Sequence, residues 1–371
     1  MLFGFGKKQN KNYLGVDIGV GGIKVVELMN EKGRGRLITY GYSERSSSDA
    51  VLHPLDDVKN TAELLVKILK KSGITSNRAV GALPLSSVFS AIVAVPRGKD
   101  ERLVKEAVNE QVKKLTPMPL EEMITYSTFI DPLKVPVQKP VAGRPQSIVP
   151  SSKDYVRVLV TGAAKSLVQK YIEIFKLAKI ELLALDTEAF ALIRALIGKD
   201  KSTVMIIDTG YSRTNFTIVE KGVPFLTRSI NIGGGAVTKK IMEQLKVSED
   251  EAERLKQDLG TMAESDPKMA EGLSSVLSTI IQPMLNEVKY AAEVYSKMEL
   301  TDGKKLEKII LTGGSAHLPS LAKELSTAMN VNVYVGDPWA RVMTPEELRP
   351  MLDEIGPKLA VSIGLAMREM D

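Results

Sequence analysis

Two Asp-x-Gly sequences are the strongest candidates in this chain for a ligand-binding site. Asp17 and Gly19 end one apolar run, and Asp208 and Gly210 end another. A strand that ends in a tight turn can aim backbone N–H groups at an anion, and glycine lets a phosphate approach closely. Two carboxylates beside a phosphate chain need a cation between them, so the pattern predicts Mg²⁺ held through water. Lys24 lies where its side chain could reach back to the phosphates.

The surroundings of the two motifs repeat one order of elements. YLGVDIGVGGIKVVEL begins at Tyr13 and VMIIDTGYSRTNFTIVEKG begins at Val204, and each reads as strand, Asp-x-Gly, loop, strand, turn and strand. A repeat at domain scale predicts two similar halves. Two ordinary hairpins with aspartate turn residues are the alternative for either motif alone, and the duplication argues against that alternative.

Two glycine-rich turns add a candidate site for adenosine. Thr312–Ser315 reads Thr-Gly-Gly-Ser between an apolar strand and a helix, where paired glycines would let a flat adenine ring lie against the backbone. A flexible helix entry is the alternative. Gly233–Gly235 precedes a further helix that Thr238 could cap. The first hairpin has no GxGxxG and the chain has no GxxxxGK[ST], which argues against a Rossmann dinucleotide site and a P-loop.

The composition excludes several classes of protein. With 371 residues, 44% hydrophobic and 26% charged, the chain reads as a globular protein of two or three domains. It has no cysteine and 2 histidines, which disfavours thiol chemistry and a histidine metal cage. A net charge of +5 and 5% aromatic residues argue against nucleic-acid binding. No apolar stretch reaches the roughly 18 residues of a membrane span. The apolar, lysine-containing segment Met1–Lys11 is either a weak membrane contact or a frayed start.

Hydrophobic periodicity predicts the strands and helices that surround these motifs. The predicted strands are Tyr13–Asp17, Ile23–Met29, Leu37–Tyr42, Ala79–Leu83, Val88–Val95, Ile124–Ile130, Tyr155–Gly162, Leu182–Leu185, Thr203–Asp208, Thr214–Glu220, Pro224–Ser229 and Ile309–Leu311. The predicted helices are one that ends at Ser72-Gly73, one from Val104 to Leu115, one from Ser166 to Ala178, and a helical stretch from Thr238 to Glu299 with breaks near Gly260, Pro267 and Pro283. Proline recurs from Asp131 to Ser152 without helical periodicity, which predicts a flexible loop.

These motifs resemble those of the actin-like ATPase superfamily, and most closely those of the PilM family of FtsA-like cytoplasmic proteins in type IV pilus assembly. The segments that carry the resemblance are LGVDIGVGGIKVVEL, LDTEAFAL from Leu185, VMIIDTGYSRTNFTIV, NIGGGAVTKKI, AERLK from Ala252, IILTGGSAHLPSL and KLAVSIGLAMRE. The resemblance covers the chain except the proline-rich loop. It implies an α/β fold of the actin-like (ribonuclease H-like) kind, duplicated, with the inserted subdomain 1C of FtsA.

The resemblance also implies four subdomains. Subdomain 1A comprises 1–81, 179–200 and 345–371; subdomain 1C comprises 82–178, with the flexible loop at 131–152; subdomain 2A comprises 201–235 and 305–344; and subdomain 2B comprises 236–304. In relatives, a groove bordered by subdomain 1C takes the short cytoplasmic N-terminal peptide of a membrane partner, PilN. Leu83–Pro96 is the region in which we expect that groove.

Residue roles follow from the resemblance, position by position. The matching positions are Asp17, Gly19, Gly21 and Lys24 for the first phosphate loop; Asp208, Gly210 and Thr214 for the second; Gly313, Gly314 and Ser315 for the adenosine motif; Gly233 and Gly234 for a nucleotide-side turn; and Glu253 and Lys256 for the pair that holds ribose and base. Asp17 and Asp208 would hold Mg²⁺ through water. Glu188 lies where relatives place a water-orienting residue, and a solvent-facing helix residue near Asp186 is the alternative.

The function that the resemblance implies is an ATP- and Mg²⁺-binding scaffold, at most a slow ATPase, at the cytoplasmic face of the inner membrane. Its expected partner is the N-terminal peptide of a PilN-like bitopic membrane protein, and self-association is a further expectation. The membrane would be reached through the partner, or weakly through Met1–Lys11. An FtsA-like division scaffold and a small-molecule kinase of the same superfamily are the alternatives. FtsA ends in an amphipathic anchor helix, which this sequence, ending at Asp371, does not show.

Overall fold

The computed structural model describes residues 12–43, 54–96, 101–132, 155–265, 267–301 and 305–370. Met1–Lys11 and the proline-rich loop beyond Pro132 lie outside the described residues, so the expectations about them stay predictions. Within the described ranges the strands form three sheets, of six, five and three strands. None of the helices in these ranges has the length and apolar character needed to cross a membrane.

The predicted strands are all present, most of them slightly longer than expected. In chain order the strands are β1 (Asn12–Gly19), β2 (Gly22–Glu31), β3 (Arg34–Tyr42), β4 (Arg78–Leu83), β5 (Val88–Pro96), β6 (Met123–Pro132), β7 (Tyr155–Ala164), β8 (Glu181–Thr187), β9 (Val204–Thr209), β10 (Thr214–Glu220), β11 (Val223–Ile230), β12 (Lys308–Thr312), β13 (Asn332–Val335) and β14 (Val342–Met343). The α-helices are α1 (Val58–Lys71), α2 (Glu101–Lys113), α3 (Lys165–Leu177), α4 (Glu188–Leu192), α5 (Gly234–Leu245), α6 (Glu249–Ser265), α7 (Pro267–Lys297), α8 (Leu321–Met329) and α9 (Arg349–Met367).

The two larger sheets repeat one connection, as the duplicated motifs predict. The order β14-β3-β2-β1-β4-β8 forms the first sheet and β11-β10-β9-β12-β13 forms the second. In the first sheet β1 pairs antiparallel with β2 and parallel with β4, and in the second β9 pairs antiparallel with β10 and parallel with β12. We call β1–β4, β8, β14, α1, α3, α4 and α9 the first lobe, and β9–β13 with α5–α8 the second lobe.

One hydrophobic cluster joins the two lobes. Val80 of β4, Ile206 of β9 and Ile310 of β12 are buried in contact with Ala360 and Leu365 of α9. Fully burying an aliphatic side chain contributes about 1.5–3 kcal/mol, so this cluster is a strong link between the sheets. The strands that end in the two Asp-x-Gly motifs are therefore fixed relative to each other through α9.

The three-stranded sheet, in the order β5-β7-β6, forms a separate unit with α2. We call β5, α2, β6 and β7 the three-stranded module. Val104 of α2 and Val158 of β7 are both buried in its own small core. On the second lobe's side, Arg157 is 3% exposed, its Nη1 donates to the Leu300 carbonyl at 2.6 Å, and its guanidinium lies 5.5 Å from the Phe225 ring centroid. The module, inserted between β4 and α3, therefore contacts the second lobe as well.

The stretch expected to be helical from Thr238 to Glu299 contains α5, α6 and α7, and two of its three expected breaks are absent. The first break follows α5 at Lys246, which has a left-handed φ of 56°. Gly260 lies inside α6 and Pro283 lies inside α7, so the predictions of breaks at these two residues are wrong. Residue 266, between α6 and α7, lies outside the described residues, so the break expected near Pro267 stays a prediction.

Packing explains why Pro283 does not end its helix. Ile280 and Met284, on either side of it, are completely buried in the core of the second lobe. An internal proline costs about 3 kcal/mol or more, and burying these two side chains together contributes a comparable amount. Tertiary packing therefore outweighs the helix-breaking effect of proline at this position.

Candidate functional site

The first hairpin carries an ion pair at the end of its strands. β1 and β2 pair so that Asp17 lies opposite Lys24, and the Lys24 Nζ donates to Asp17 Oδ2 at 3.0 Å. Asp17 is 7% exposed. Burial by itself lowers the pKa of the Lys24 ammonium, but the hydrogen-bonded Asp17 carboxylate and two further carboxylates raise that pKa above its ordinary value. The first hairpin therefore presents a carboxylate that is already paired with a cation.

The second hairpin has the same register and a different partner. β9 and β10 place Asp208 opposite Asn215. The Asn215 side chain hydrogen-bonds to Asp208, and its Oδ1 accepts from Ser229 Oγ at 2.5 Å. Burial raises the pKa of Asp208 to about 6, and the negative charge of Asp17 contributes to the rise. A neutral amide thus satisfies hydrogen bonds of Asp208 without cancelling its charge.

Glu188 is a third carboxylate at this place. Its Oε2 accepts from the Leu85 N–H at 2.8 Å and from Asn215 Nδ2 at 3.3 Å. Burial raises the pKa of Glu188 to about 8, and the charges of Asp17 and Asp208 add to the effect. Glu188 is therefore an inward-facing residue, and the alternative of a solvent-facing helix residue is wrong.

The four charged residues Asp17, Lys24, Glu188 and Asp208 form what we call the carboxylate cluster. It holds three carboxyl groups and one ammonium, so it is short of positive charge, and the raised pKa values of Asp208 and Glu188 reflect this. Carboxylate oxygens are the ligands that Mg²⁺ prefers, usually with several waters retained. The donor set therefore fits Mg²⁺ bound through water. In the described part of the chain, no group of three or more His, Cys, Asp or Glu side chains is arranged to hold a metal ion directly.

The loops that follow the two motifs touch each other beside this cluster. A Cβ added to Gly21 of the first loop would lie 2.8 Å from the Cβ of Tyr211 in the second, so the two loops pass at a distance that only glycine permits. The Tyr211 hydroxyl donates to Glu249 Oε1 at 3.0 Å, which ties the second loop to α6. A Cβ added to Gly19 would lie 3.5 Å from the Nζ of Lys24. Both glycine loops therefore border one space.

A second group lies where α5, α6 and the turn after β12 converge. We call Gly234, Thr238, Glu253, Lys256 and Ser315 the Lys256 cluster. Lys256 Nζ lies 2.6 Å from Glu253 Oε2 and donates to Thr238 Oγ1 at 3.0 Å. The Thr238 hydroxyl also hydrogen-bonds to Glu253. A Cβ added to Gly234 would collide with the Ser315 hydroxyl, so the turn before α5 packs directly on the turn after β12.

Gly313 connects this second group to the carboxylate cluster. Its φ is +89°, and an added Cβ would lie 2.5 Å from both Asp208 Oδ1 and the Thr209 carbonyl oxygen. Gly314, the next residue, faces open space, with nothing within 4 Å of an added Cβ. The Thr-Gly-Gly turn thus packs against the Asp208 carboxylate on one side. On the other side it leaves an open backbone surface, which an adenine ring would require.

The structure brings the predicted site residues into these two neighbouring groups, with one exception. Gly233 lies against the second loop, where an added Cβ would be 2.5 Å from the Gly210 carbonyl oxygen. Thr214 is the exception, because it is fully buried and its hydroxyl donates to the Ile232 carbonyl at 2.7 Å. Its side chain therefore closes the turn before Gly233 and does not face the carboxylate cluster.

Sequence reasoning missed two residues that touch the carboxylate cluster. Asn215 lies at the position in the second hairpin that Lys24 has in the first, so the internal repeat was a signal that could have found it. Leu85 contributes only its backbone N–H, which every residue except proline has, so its type carried no signal.

A buried phenol lies near the same cluster. Tyr171 of α3 is completely buried, and among the described residues its hydroxyl has no hydrogen-bond partner. Burial raises the pKa of Tyr171 well above its ordinary value, and the charges of Glu188 and Asp17 contribute. Tyr171 therefore stays a neutral, unpaired hydroxyl group in the first lobe.

The two lobes, their paired Asp-x-Gly hairpins and the helix across them are those of the actin-like ATPase fold. A family profile described as "Type IV pilus assembly protein PilM" matches residues 15–370. The chain belongs to that family. The match favours a role in type IV pilus assembly over the division scaffold and the small-molecule kinase.

Similar proteins agree with this assignment. The chain is 26% identical over 366 residues to the cell division protein FtsA of Bacillus subtilis strain 168, covering 89% of this chain and 79% of that protein. Among solved structures, a PilM-PilN type IV pilus biogenesis complex aligns with a TM-score of 0.75 at 21% identity, covering 97% of this chain and 98% of that one. The ethanolamine utilization protein EutJ of Carboxydothermus hydrogenoformans aligns with a TM-score of 0.51 at 18% identity, covering 96% and 89%. At these identities the two structures establish the fold.

Proposed function

We propose that this chain is an ATP- and Mg²⁺-binding scaffold of the type IV pilus assembly platform. The observation that carries the proposal is the meeting of the two Asp-x-Gly hairpins, with three carboxyl groups and one ammonium between them. A phosphate chain with its cation suits this arrangement, because the cation supplies the missing positive charge. The phosphate oxygens would accept hydrogen bonds from the backbone N–H groups of the glycine loops.

Each part of the site has a role in this proposal. Asp17 and Asp208 hold Mg²⁺ through water, and Lys24 neutralises the phosphates. Glu253 and Lys256 bind the ribose and base. The backbone and hydroxyl groups that surround the nucleotide are those of Gly19, Gly21, Gly210, Gly233, Gly234, Gly313, Gly314 and Ser315. Thr214 has an indirect role, because its hydroxyl closes the turn before Gly233.

Turnover in this proposal is slow at most. With a pKa of about 8, Glu188 carries a proton at neutral pH until a cation arrives. Without nucleotide, its Oε2 accepts from the Leu85 N–H and from the Asn215 side-chain amide, so Glu188 must redistribute these contacts before it can orient a water. A protonated carboxyl group is a poor general base, so Glu188 positions a water more readily than it accepts the water's proton.

The three-stranded module is the partner-binding part of the proposal and makes up most of subdomain 1C, at 82–178, which also includes α3 of the first lobe. The similar solved structure is of a PilM-PilN complex, and we expect this module to take the cytoplasmic N-terminal peptide of a PilN-like inner-membrane protein. Subdomains 1A (1–81, 179–200 and 345–371), 2A (201–235 and 305–344) and 2B (236–304) enclose the nucleotide. The chain then lies at the cytoplasmic face of the inner membrane through its partner, with Met1–Lys11 as a weaker contact.

Isothermal titration calorimetry with ATP and Mg²⁺ tests the nucleotide site. We expect the wild type to bind, and Gly313→Val to abolish binding because the new side chain would collide with Asp208 and Thr209. Gly222→Val is the matched control, since its φ of +80° imposes the same backbone strain while nothing lies within 4 Å of the added Cβ. A wild type that binds no ATP would overturn the nucleotide assignment.

Fluorescence anisotropy with the N-terminal cytoplasmic peptide of the PilN-like protein from the same genome tests the partner. We expect a micromolar or tighter complex, about −8 kcal/mol, and no binding of a scrambled peptide. Liposome flotation then separates the two routes to the membrane. Flotation without the partner, lost on deleting Met1–Lys11, would favour the lipid route over the partner route.

A further inference from the structure

One carboxylate oxygen connects the carboxylate cluster to the entrance of the three-stranded module. Leu85 is the first residue of the 3₁₀ turn Leu85–Ser87, which leads from β4 directly into β5. Its N–H donates to Glu188 Oε2 at 2.8 Å, and the same oxygen accepts from Asn215 Nδ2 at 3.3 Å. Glu188 therefore touches the module's entry and the second hairpin at once.

The entrance to the module combines a buried side chain, that of Leu85, with one backbone hydrogen bond to the carboxylate cluster. Pro84 precedes Leu85 and has no N–H to offer, so the Leu85 N–H is the first backbone donor of the turn. The turn itself is closed by the Ser87 N–H, which donates to the Pro84 carbonyl at 2.9 Å. At its other end the module contacts the second lobe through the hydrogen bond from Arg157 to the Leu300 carbonyl. A change at the entrance would therefore alter how the module sits between the lobes.

We propose that Glu188 transmits the occupancy of the nucleotide site to the three-stranded module by holding or releasing the Leu85 N–H. The inference rests on the proposed function. Positive charge or a water that enters beside Asp17 and Asp208 competes for the Glu188 carboxylate, which already serves two donors. If Glu188 turns toward the nucleotide, a backbone N–H loses its acceptor, and the turn must rearrange to satisfy it.

The consequence is a coupling between the affinity for the nucleotide and the affinity for the partner peptide. Because linkage is reciprocal, the factor by which the nucleotide changes the affinity for the partner peptide equals the factor by which the peptide changes the affinity for the nucleotide. We expect this factor to be roughly fivefold or more in the wild type, within the usual range of such couplings.

Two substitutions at one residue isolate the hydrogen bond. Leu85→Pro removes the N–H, and proline suits the first position of a helical turn after Pro84, whose φ of −58° and ψ of 134° are those that a residue before proline adopts. Leu85→Ala keeps the N–H and removes most of the buried side chain, so it is the matched control. We expect Leu85→Pro to bring the coupling factor to within twofold of one, and Leu85→Ala to retain the wild-type factor.

A distance measurement follows the module directly. The chain has no cysteine, so Asn109→Cys on α2 and Lys67→Cys on α1, both exposed, accept spin labels without any other change. We expect Mg²⁺ with a non-hydrolysable ATP analogue to shift the label-to-label distance distribution in the doubly labelled protein and in its Leu85→Ala form, but not in its Leu85→Pro form.

Amide exchange in the unmutated protein gives a test that does not depend on any variant folding. With leucine-selective ¹⁵N labelling, we expect the Leu85 amide to exchange faster after the analogue and Mg²⁺ are added. A Leu85 amide that stays equally protected, or a Leu85→Pro protein with the wild-type coupling factor, would overturn the inference while leaving the proposed function intact. Failure of the wild type to bind ATP or the peptide at all would instead contradict the proposed function, and the inference with it.

Discussion

The two Asp-x-Gly hairpins have the same backbone register, but the residue opposite the aspartate is charged in one and neutral in the other. In the first lobe the residue opposite Asp17 is Lys24, which forms an ion pair with it at 3.0 Å. In the second lobe the residue opposite Asp208 is Asn215, a neutral amide. One cross-strand position therefore decides whether a buried carboxylate comes with its own cation or needs one from outside.

The difference suits a site that binds a cation between two lobes. If both hairpins carried a lysine, two ammonium groups would face three carboxyl groups, and the smaller deficit of positive charge would weaken the attraction for Mg²⁺. If neither did, three carboxyl groups would face each other with no ammonium among them, and burial would disfavour their charged forms. One lysine for three carboxyl groups leaves a deficit that a bound cation can fill.

The largest expected effect is that of making the first hairpin like the second, with Lys24→Asn. The substitution leaves Asp17 buried without its cation, which costs about 3–5 kcal/mol of folding free energy, and it removes a positive charge that faces the phosphates. We expect ATP affinity to fall by at least about a hundredfold, measured by calorimetry, alongside lower stability in urea. Lys67→Asn, an exposed lysine on α1, is the control. Near wild-type affinity in Lys24→Asn would show that the ion pair is structural only.

The pH dependence of stability reports the second hairpin and Glu188 together. The folded pKa values, about 6 for Asp208 and about 8 for Glu188, lie above the ordinary values of 3.8 and 4.5. Between each pair of values the folded state keeps a proton that the unfolded state has lost, so raising the pH destabilises the fold. The two shifts alone correspond to about 8 kcal/mol. Because both side chains are only half-buried and partly screened by water, we expect the free energy of unfolding without nucleotide to fall by roughly 2–4 kcal/mol between pH 4 and pH 9.

Urea denaturation at a series of pH values measures this fall, and two variants divide it. Asp208→Asn should remove the part that ends near pH 6, and Glu188→Gln should remove the part that ends near pH 8. A stability that stays flat or rises across this range in the nucleotide-free wild type would mean that the site is better hydrated, or better compensated, than its burial implies.

Local sequence was sufficient for the hairpins and insufficient for the contacts between them. Asp17, Asp208 and their glycines were predictable because a strand followed by a tight turn is specified by adjacent residues. The hydrogen bond from Leu85 to Glu188 joins positions 103 residues apart and uses a backbone donor, so the residue types at these positions do not predict it. Similarly, α5 ends at Lys246 in a left-handed conformation, which glycine usually marks and lysine does not.

The reverse substitution, Asn215→Lys, gives the second hairpin the charge pattern of the first. The new ammonium should hold the pKa of Asp208 nearer its ordinary value and stabilise the nucleotide-free protein at pH 8 by about 1–2 kcal/mol. It should also weaken the requirement for Mg²⁺, because the cation would now compete with an ammonium. Calorimetry of ATP binding with Mg²⁺ and with a chelator measures the change, and Asn215→Leu, which removes the amide without adding charge, is the control.

A Mg²⁺ dependence unchanged in Asn215→Lys would indicate that the cation is held away from the second hairpin. That result would leave Asp17 as the only one of the two aspartates beside the metal, and the deficit of charge at Asp208 would need another explanation. The comparison between the hairpins would then describe the fold rather than the site.

The smallest expected effects come from two buried tyrosines, one in each lobe. The Tyr295 hydroxyl in the second lobe donates to Glu220 Oε2 at 2.7 Å, whereas the Tyr171 hydroxyl in the first lobe has no hydrogen-bond partner among the described residues. Deleting a buried hydroxyl that serves a carboxylate should cost about 1 kcal/mol, while deleting an unpaired one should be neutral or slightly stabilising. We therefore expect Tyr295→Phe to lower the free energy of unfolding in urea and Tyr171→Phe to leave it unchanged or raise it.

Because Tyr171 lies near Glu188 and Asp17, the same variants should be compared with and without ATP and Mg²⁺. A loss of nucleotide affinity in Tyr171→Phe, with no loss of stability, would show that its hydroxyl acquires a partner only when the site is filled.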